Sequence, residues 1–151
     1  MKKLFLTLAA TLLMTTLAPA GLSQGFNSQD AIGTWTYFIT VAGAPPCQCI
    51  QLARLRADGT ADGPANDRFS GAMLGEWKKT GFREVTFTFL QNNINADGSA
   101  GGLSVIKGTM NISAEGDKAT GTSKFQLLDA NGKSMFDGTA TFTATKLVAG
   151  H

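Results

Sequence analysis

The chain has 151 residues, a mass of 15.8 kDa, a formal charge of +2 and a sequence pI near 8.6, with 43% hydrophobic and only 16% charged residues. That length suits one domain of modest core, and so low a charge density excludes a disordered polyelectrolyte or a solvated acidic or basic tail. Eighteen glycines against four prolines, without a strict three-residue period, exclude collagen and predict many tight turns between short elements.

Lys2 and Lys3 precede an apolar run from Leu4 to about Leu17, and small residues stand at Ala18 and Ala20. This is the layout of a secretory signal peptide with an A-x-A cleavage site. The expected organisation is a signal peptide over residues 1–20, a short polar leader over 21–30 and one folded domain over 31–151, with the mature protein secreted or periplasmic. A membrane anchor is disfavoured, because the apolar run falls short of the ~20 residues that span a bilayer and threonines interrupt it. No later segment is apolar enough to span after signal removal. Without Lys2 and Lys3 the chain carries eleven basic and eleven acidic residues, so the basic pI belongs to the targeting segment and points to no partner.

From residue 31 onward, β-branched and aromatic runs alternate with turns that contain glycine. The turn markers are Gly43-Ala44-Pro45-Pro46, Asp58-Gly59, Asp62-Gly63, Gly81, Asp97-Gly98, Glu115-Gly116-Asp117 and Asn131-Gly132. In Gly33–Val41, Trp35, Tyr37, Ile39 and Val41 fall on one face and Thr34, Thr36 and Thr40 on the other. Strands are also expected over Cys49–Ala57, a short stretch of Thr60–Asn66, and Ala72–Lys79. In Arg83–Gln91, Val85, Phe87 and Phe89 oppose Glu84, Thr86 and Thr88. Leu103–Ala114 and Lys118–Asp129 follow. In the last strand Phe136, Ala140, Phe142 and Ala144 share a face opposite Asp137, Thr139, Thr141, Thr143 and Thr145. Seven or eight strands in a meander must hide their edges, and closure into an up-and-down barrel does so completely. An immunoglobulin-type sandwich would need two distant cysteines around a Trp, which the chain lacks. The expected fold is all-β, a single antiparallel barrel of about eight strands, either filled by side chains or holding one small ligand.

Export places Cys47 and Cys49 in an oxidising compartment. Side chains at i and i+2 of an extended strand share a face but stand farther apart than the ~3.8 Å between Cβ atoms that a relaxed disulfide prefers. Pro45 and Pro46 bend the chain just before them, enough to close a small strained ring. The sequence leaves both the bridged and the open form standing. No metal site is expected, since the only histidine is His151 and no second cysteine pair completes a zinc set.

Gly33-Thr34-Trp35 opening the first strand, a β meander along the whole chain and a final strand carrying Lys146 resemble the calycin superfamily. In that superfamily a G-x-W motif seals the closed end of the barrel, and a basic residue from near the C-terminus packs across the Trp. The resemblance implies that Trp35 and Lys146 form such a pair. The chain is also similar to small secreted bacterial lipocalin-like proteins, through Leu55-Arg56-Ala57-Asp58-Gly59-Thr60, Gly75-Glu76-Trp77 with Gly81 and Val85 to Phe89, and Gly138-Thr139-Ala140-Thr141. The T-D-Y signature of typical lipocalins is absent.

No catalytic residues are expected: His151 is the only histidine and lies at the chain end, so no His-based triad is available. Gly101-Gly102 leads into a strand and not a helix, so no phosphate loop forms. Asn93 to Gly98 lacks the closing Glu of a calcium loop. Lys78-Lys79 is an ordinary solvated pair, and the absence of a basic stripe disfavours nucleic acid. No cofactor is expected, and the sequence does not set the oligomeric state. Charges on apolar-leaning strands remain to be explained. Arg54 and Arg56 are in phase with Ile50 and Leu52, Glu76 with Leu74, and Arg83 with Val85. They either solvate the outer face or a barrel mouth, or point into the lumen as partnered charges. The expected lumen set is Tyr37, Arg54, Arg56, Glu76, Trp77, Arg83, Phe87, Phe89, Phe125 and Phe142, an aromatic wall with a few polar groups of the kind that holds a small, largely apolar molecule. Two alternatives stand beside a non-enzymatic binding protein. One is a cofactor-free cyclase or isomerase resembling allene oxide cyclases or bacterial spirocyclases, which confine a conformer and exclude water. The other is a secreted inhibitor or structural envelope protein with a filled barrel.

Overall fold

The computed structural model describes residues 28–45, 49–65 and 68–148. The expected signal peptide, Cys47 and His151 lie outside the described residues. A 3-10 turn over Ser28–Asp30 leads into eight strands: β1 Gly33–Val41, β2 Cys49–Leu55, β3 Thr60–Gly63, β4 Ser70–Gly81, β5 Glu84–Ile94, β6 Ala100–Ile112, β7 Lys118–Leu128 and β8 Ser134–Lys146. Each strand pairs with the next, and β8 returns antiparallel to β1, so the sheet closes into a barrel in chain order. The all-β, up-and-down architecture is the expected one.

Local chemistry fixes the hairpins. Asp58 Oδ1 accepts the Thr60 backbone N–H at 2.9 Å and its hydroxyl at 2.6 Å, and Asp97 Oδ1 accepts the same two groups of Ser99 at the same distances. Gly59 and Gly98 both sit at φ +85°, a left-handed conformation that glycine adopts without a Cβ penalty. The side-chain and then the backbone hydrogen bonds of Thr60 and Ser99 hold both carboxyls below their ordinary range. The turn expected at Asp62-Gly63 is instead the end of β3. A Cβ on Gly63 would strike the Leu52 carbonyl oxygen, so this glycine permits close strand approach and does not reverse the chain.

Side chains directly opposite in a ladder share a face. Trp35 and Tyr37 point inward, opposite Ala53 and Gln51 of β2; Val85, Phe87 and Phe89 point inward, opposite Met110, Gly108 and Ile106 of β6. Burial is graded along the barrel axis. At one end Trp35, Leu55, Val85 and Met110 are 0–1% exposed. The 3-10 turn is strapped over that end: the Trp35 indole N–H donates to the Ala31 carbonyl at 2.9 Å and Lys146 Nζ donates to the Asp30 carbonyl at 3.0 Å. Lys146 Nζ also lies 5.7 Å from the centre of the Trp35 ring. At the other end Phe136, in phase with Phe142 on β8, is 52% exposed. Among the described residues one end is therefore plugged and the other open.

Candidate functional site

Four inward glycines face four phenylalanines across neighbouring strands: Gly75 opposite Phe89, Gly108 opposite Phe87, Gly121 opposite Phe142 and Gly138 opposite Phe125. At every one of these positions the ring occupies the space a Cβ would need. A phenyl ring laid over a cross-strand glycine covers bare backbone and gains contact there, so it rests along the wall and does not project to the barrel axis. The rings also meet one another: Tyr37 and Phe142 are edge-on at 5.3 Å between centroids, and Phe87 lies 5.1 Å from Phe89 and 5.9 Å from Phe142. Phe125 and Phe136 make a tilted pair at 5.8 Å toward the open end.

With the rings on the wall, the lumen above the plug is a cavity of about 230 Å³. Five residues of the expected lumen set line it: Tyr37, Phe87, Phe89, Phe125 and Phe142. Gln51, Met73, Ile106 and Ser123 also line it and were not expected from the sequence. A broader depression of about 1070 Å³ runs over the outer wall beside Glu76, Lys78 and Lys107, open to solvent. The lumen cavity, by contrast, lies inside the barrel.

The polar groups of the lumen are neutral. Gln51 Nε2 donates to the Met73 sulfur at 2.9 Å, and the Tyr37 hydroxyl donates to the Met110 sulfur at 3.6 Å. Burial pushes the Tyr37 hydroxyl above its ordinary range, which keeps it a protonated donor. Nearer the mouth, Gln91 Nε2 donates to the Gly71 carbonyl at 3.1 Å and Ser104 Oγ to Asn93 Oδ1 at 2.9 Å. No charged side chain is among the described residues that line the cavity.

The structure places the four charged candidates elsewhere. Because Trp35 and Tyr37 take Ala53 and Gln51 as inward partners, Arg54 and Arg56 stand on the outer face, with Ile50 and Leu52. Their side chains are 51% and 47% exposed, and both bind the Asp62 carboxylate, at 2.9 and 3.1 Å. Glu76 is opposite Thr88 on the outer face, since its neighbours Gly75 and Trp77 oppose the inward Phe89 and Phe87. Arg83 keeps the phase of Val85 but lies in the β4–β5 turn, at φ 57° with its guanidinium 5.1 Å from the Phe82 ring centre. Trp77 is inward, yet it belongs to the plugged half, where its indole N–H donates to the Arg56 carbonyl at 2.8 Å. Cys49 is disulfide-bonded and lines the mouth; Cys47 lies outside the described residues.

Compared with protein-family models, curated proteins and solved structures, the chain finds no match. The chemistry of the site thus rests on its own side chains. Among the described residues no three His, Cys, Asp or Glu come together to hold a cation. The lumen offers amide, hydroxyl and thioether groups on an aromatic wall, an arrangement that can orient a neutral guest.

Proposed function

We propose that this protein is an exported, lipocalin-like barrel that binds a small, largely apolar molecule in its lumen. The observation that carries this reading is the 230 Å³ cavity, closed at the Trp35 end, open at the Phe136 end and walled by phenyl rings held against glycines. Sites of this kind are concave, mostly apolar and furnished with a few oriented polar groups. The empty volume counts against a filled structural barrel. The Lys146 contact with Trp35 and Asp30 supports the calycin resemblance, because it joins the final strand to the G-x-W strand across the sealed end.

Native mass spectrometry of the mature protein purified from its natural host tests this. A co-purifying small molecule, lost when the Gly108→Phe substitution fills the lumen, is the expected result. Recovery of the bare polypeptide alone would speak against a tight carrier.

A further inference from the structure

Two of the polar donors that line the cavity, the Gln51 amide and the Tyr37 hydroxyl, are directed at sulfur. Gln51 and Tyr37 are direct neighbours across the β1–β2 ladder, so they present their donors from adjacent strands of one wall. Their acceptors, the Met73 and Met110 thioethers, are weak acceptors, and a carbonyl oxygen is a far better one. A buried donor held by a weak partner gains most when a stronger acceptor arrives. Among the described residues the lining has no cation to receive a carboxylate or sulfonate and no carboxylate to receive an amine, so an ionised guest would lose its hydration without compensation from them. The walls present ring faces and edges, with Phe142 in contact with both Tyr37 and Phe87. Flat guests pack against such rings, and the cavity volume limits them to about two fused rings.

We infer that the lumen takes an uncharged, flat, two-ring molecule bearing a carbonyl oxygen, which accepts hydrogen bonds from Gln51 Nε2 and Tyr37 Oη in place of the two methionine sulfurs. This rests on the lumen-binding reading above and narrows it to a chemical class. Ionised amphiphiles such as free fatty acids are thereby disfavoured as guests.

Three naphthalenes with equal numbers of heavy atoms separate the terms: acetylnaphthalene, isopropylnaphthalene and naphthoate, titrated into the full mature protein by calorimetry. The ketone and the hydrocarbon should bind and naphthoate should not. Gln51→Leu and Tyr37→Phe should each weaken the ketone by about three- to tenfold, the loss of one neutral hydrogen bond, and leave the hydrocarbon unchanged. Tyr37→Phe keeps the ring and its contact with Phe142, so it guards against a folding defect in the Gln51 variant. Equal effects of the substitutions on ketone and hydrocarbon, or binding of naphthoate as tight as the ketone, would overturn the ligand class while leaving the lumen reading in place. Failure of all three to bind would overturn both.

Discussion

Phe87 lies directly opposite Gly108 on the β5–β6 ladder, and its ring covers that glycine so closely that a Cβ there would collide with the ring edge. The same relationship recurs at Phe89, Phe125 and Phe142, and it converts four large side chains from core filler into wall lining. A sequence count of aromatics would fill this barrel; the paired glycines hollow it.

Gly→Ala in an unobstructed strand stabilises by roughly 0.5–1 kcal/mol. At Gly108 the opposite sign is expected, because the methyl must displace the Phe87 ring and also crowds the Thr122 carbonyl. Overpacking of this kind costs about 1–3 kcal/mol. Urea unfolding of Gly108→Ala against Gly71→Ala, where a Cβ would come no nearer than 3.3 Å to Asn92, reads the difference. The Gly108 variant should also bind acetylnaphthalene more weakly, since the displaced ring turns toward the axis. Equal stability of the two variants would remove the pairing as the cause of the hollow lumen.

Trp35 and Lys146 hold the plug from opposite ends of the chain. Lys146→Met removes the hydrogen bond to the Asp30 carbonyl and the ammonium beside the indole, and should lower stability by about 1–2 kcal/mol. Trp35→Phe removes the donor to Ala31 and should cost at least as much. The double variant should lose less than the sum, with a coupling of about 0.5–2 kcal/mol, as residues in contact do. Strict additivity in a double-mutant cycle would mean that the lysine and the indole act independently.

The strands whose inner face is aromatic were legible in the sequence. In β1, β5 and β8 the inward set (Trp35 and Tyr37; Val85, Phe87 and Phe89; Phe142 and Ala144) is apolar while the outward set is mostly threonine or acidic, so one phase stands out. In β2 both phases are mixed: Ile50 and Leu52 share theirs with Arg54 and Arg56, while Gln51 interrupts the phase of Ala53 and Leu55, so alternation alone does not set the inward face. The ladder decides, because Trp35 and Tyr37 leave room opposite only for Ala53 and Gln51. That choice turned Arg54 and Arg56 outward and brought Gln51 into the lumen. A signal was available, since the large inward side chains of β1 require small partners. The Asp62-Gly63 turn failed for a related reason, as glycine serves close approach as well as reversal.

The β2 phase makes its own prediction. Leu55 is 1% exposed and packs in the plug, whereas Ile50 is 49% exposed. Leu55→Ala should lose about 2–5 kcal/mol. Ile50→Thr, on the outer face of a strand, should change stability by no more than about 0.5 kcal/mol. Thermal denaturation of the two variants reads this directly, and a larger loss at Ile50 than at Leu55 would reverse the assigned faces.

Asp62 gives the fold an acid limit. Its carboxylate accepts from Nε and Nη2 of both Arg54 and Arg56, at 2.9–3.2 Å, and these hydrogen bonds hold its carboxyl well below the usual carboxylate range. A carboxyl with a lower pKa folded than unfolded stabilises fully above the unfolded value, near pH 4, and loses that contribution as the pH falls toward the folded value. Asp62→Asn should therefore be less stable than the parent by a constant amount from about pH 5 to 8, with the gap closing progressively below about pH 4. Because the cluster is solvated, about 1 M salt should shrink the gap at neutral pH. Asp58 and Asp97, whose carboxyls are also held low, add to the acid loss of both proteins and cancel in the comparison. A gap that stays the same down to about pH 2 would show that Asp62 acts through packing and not through its charge.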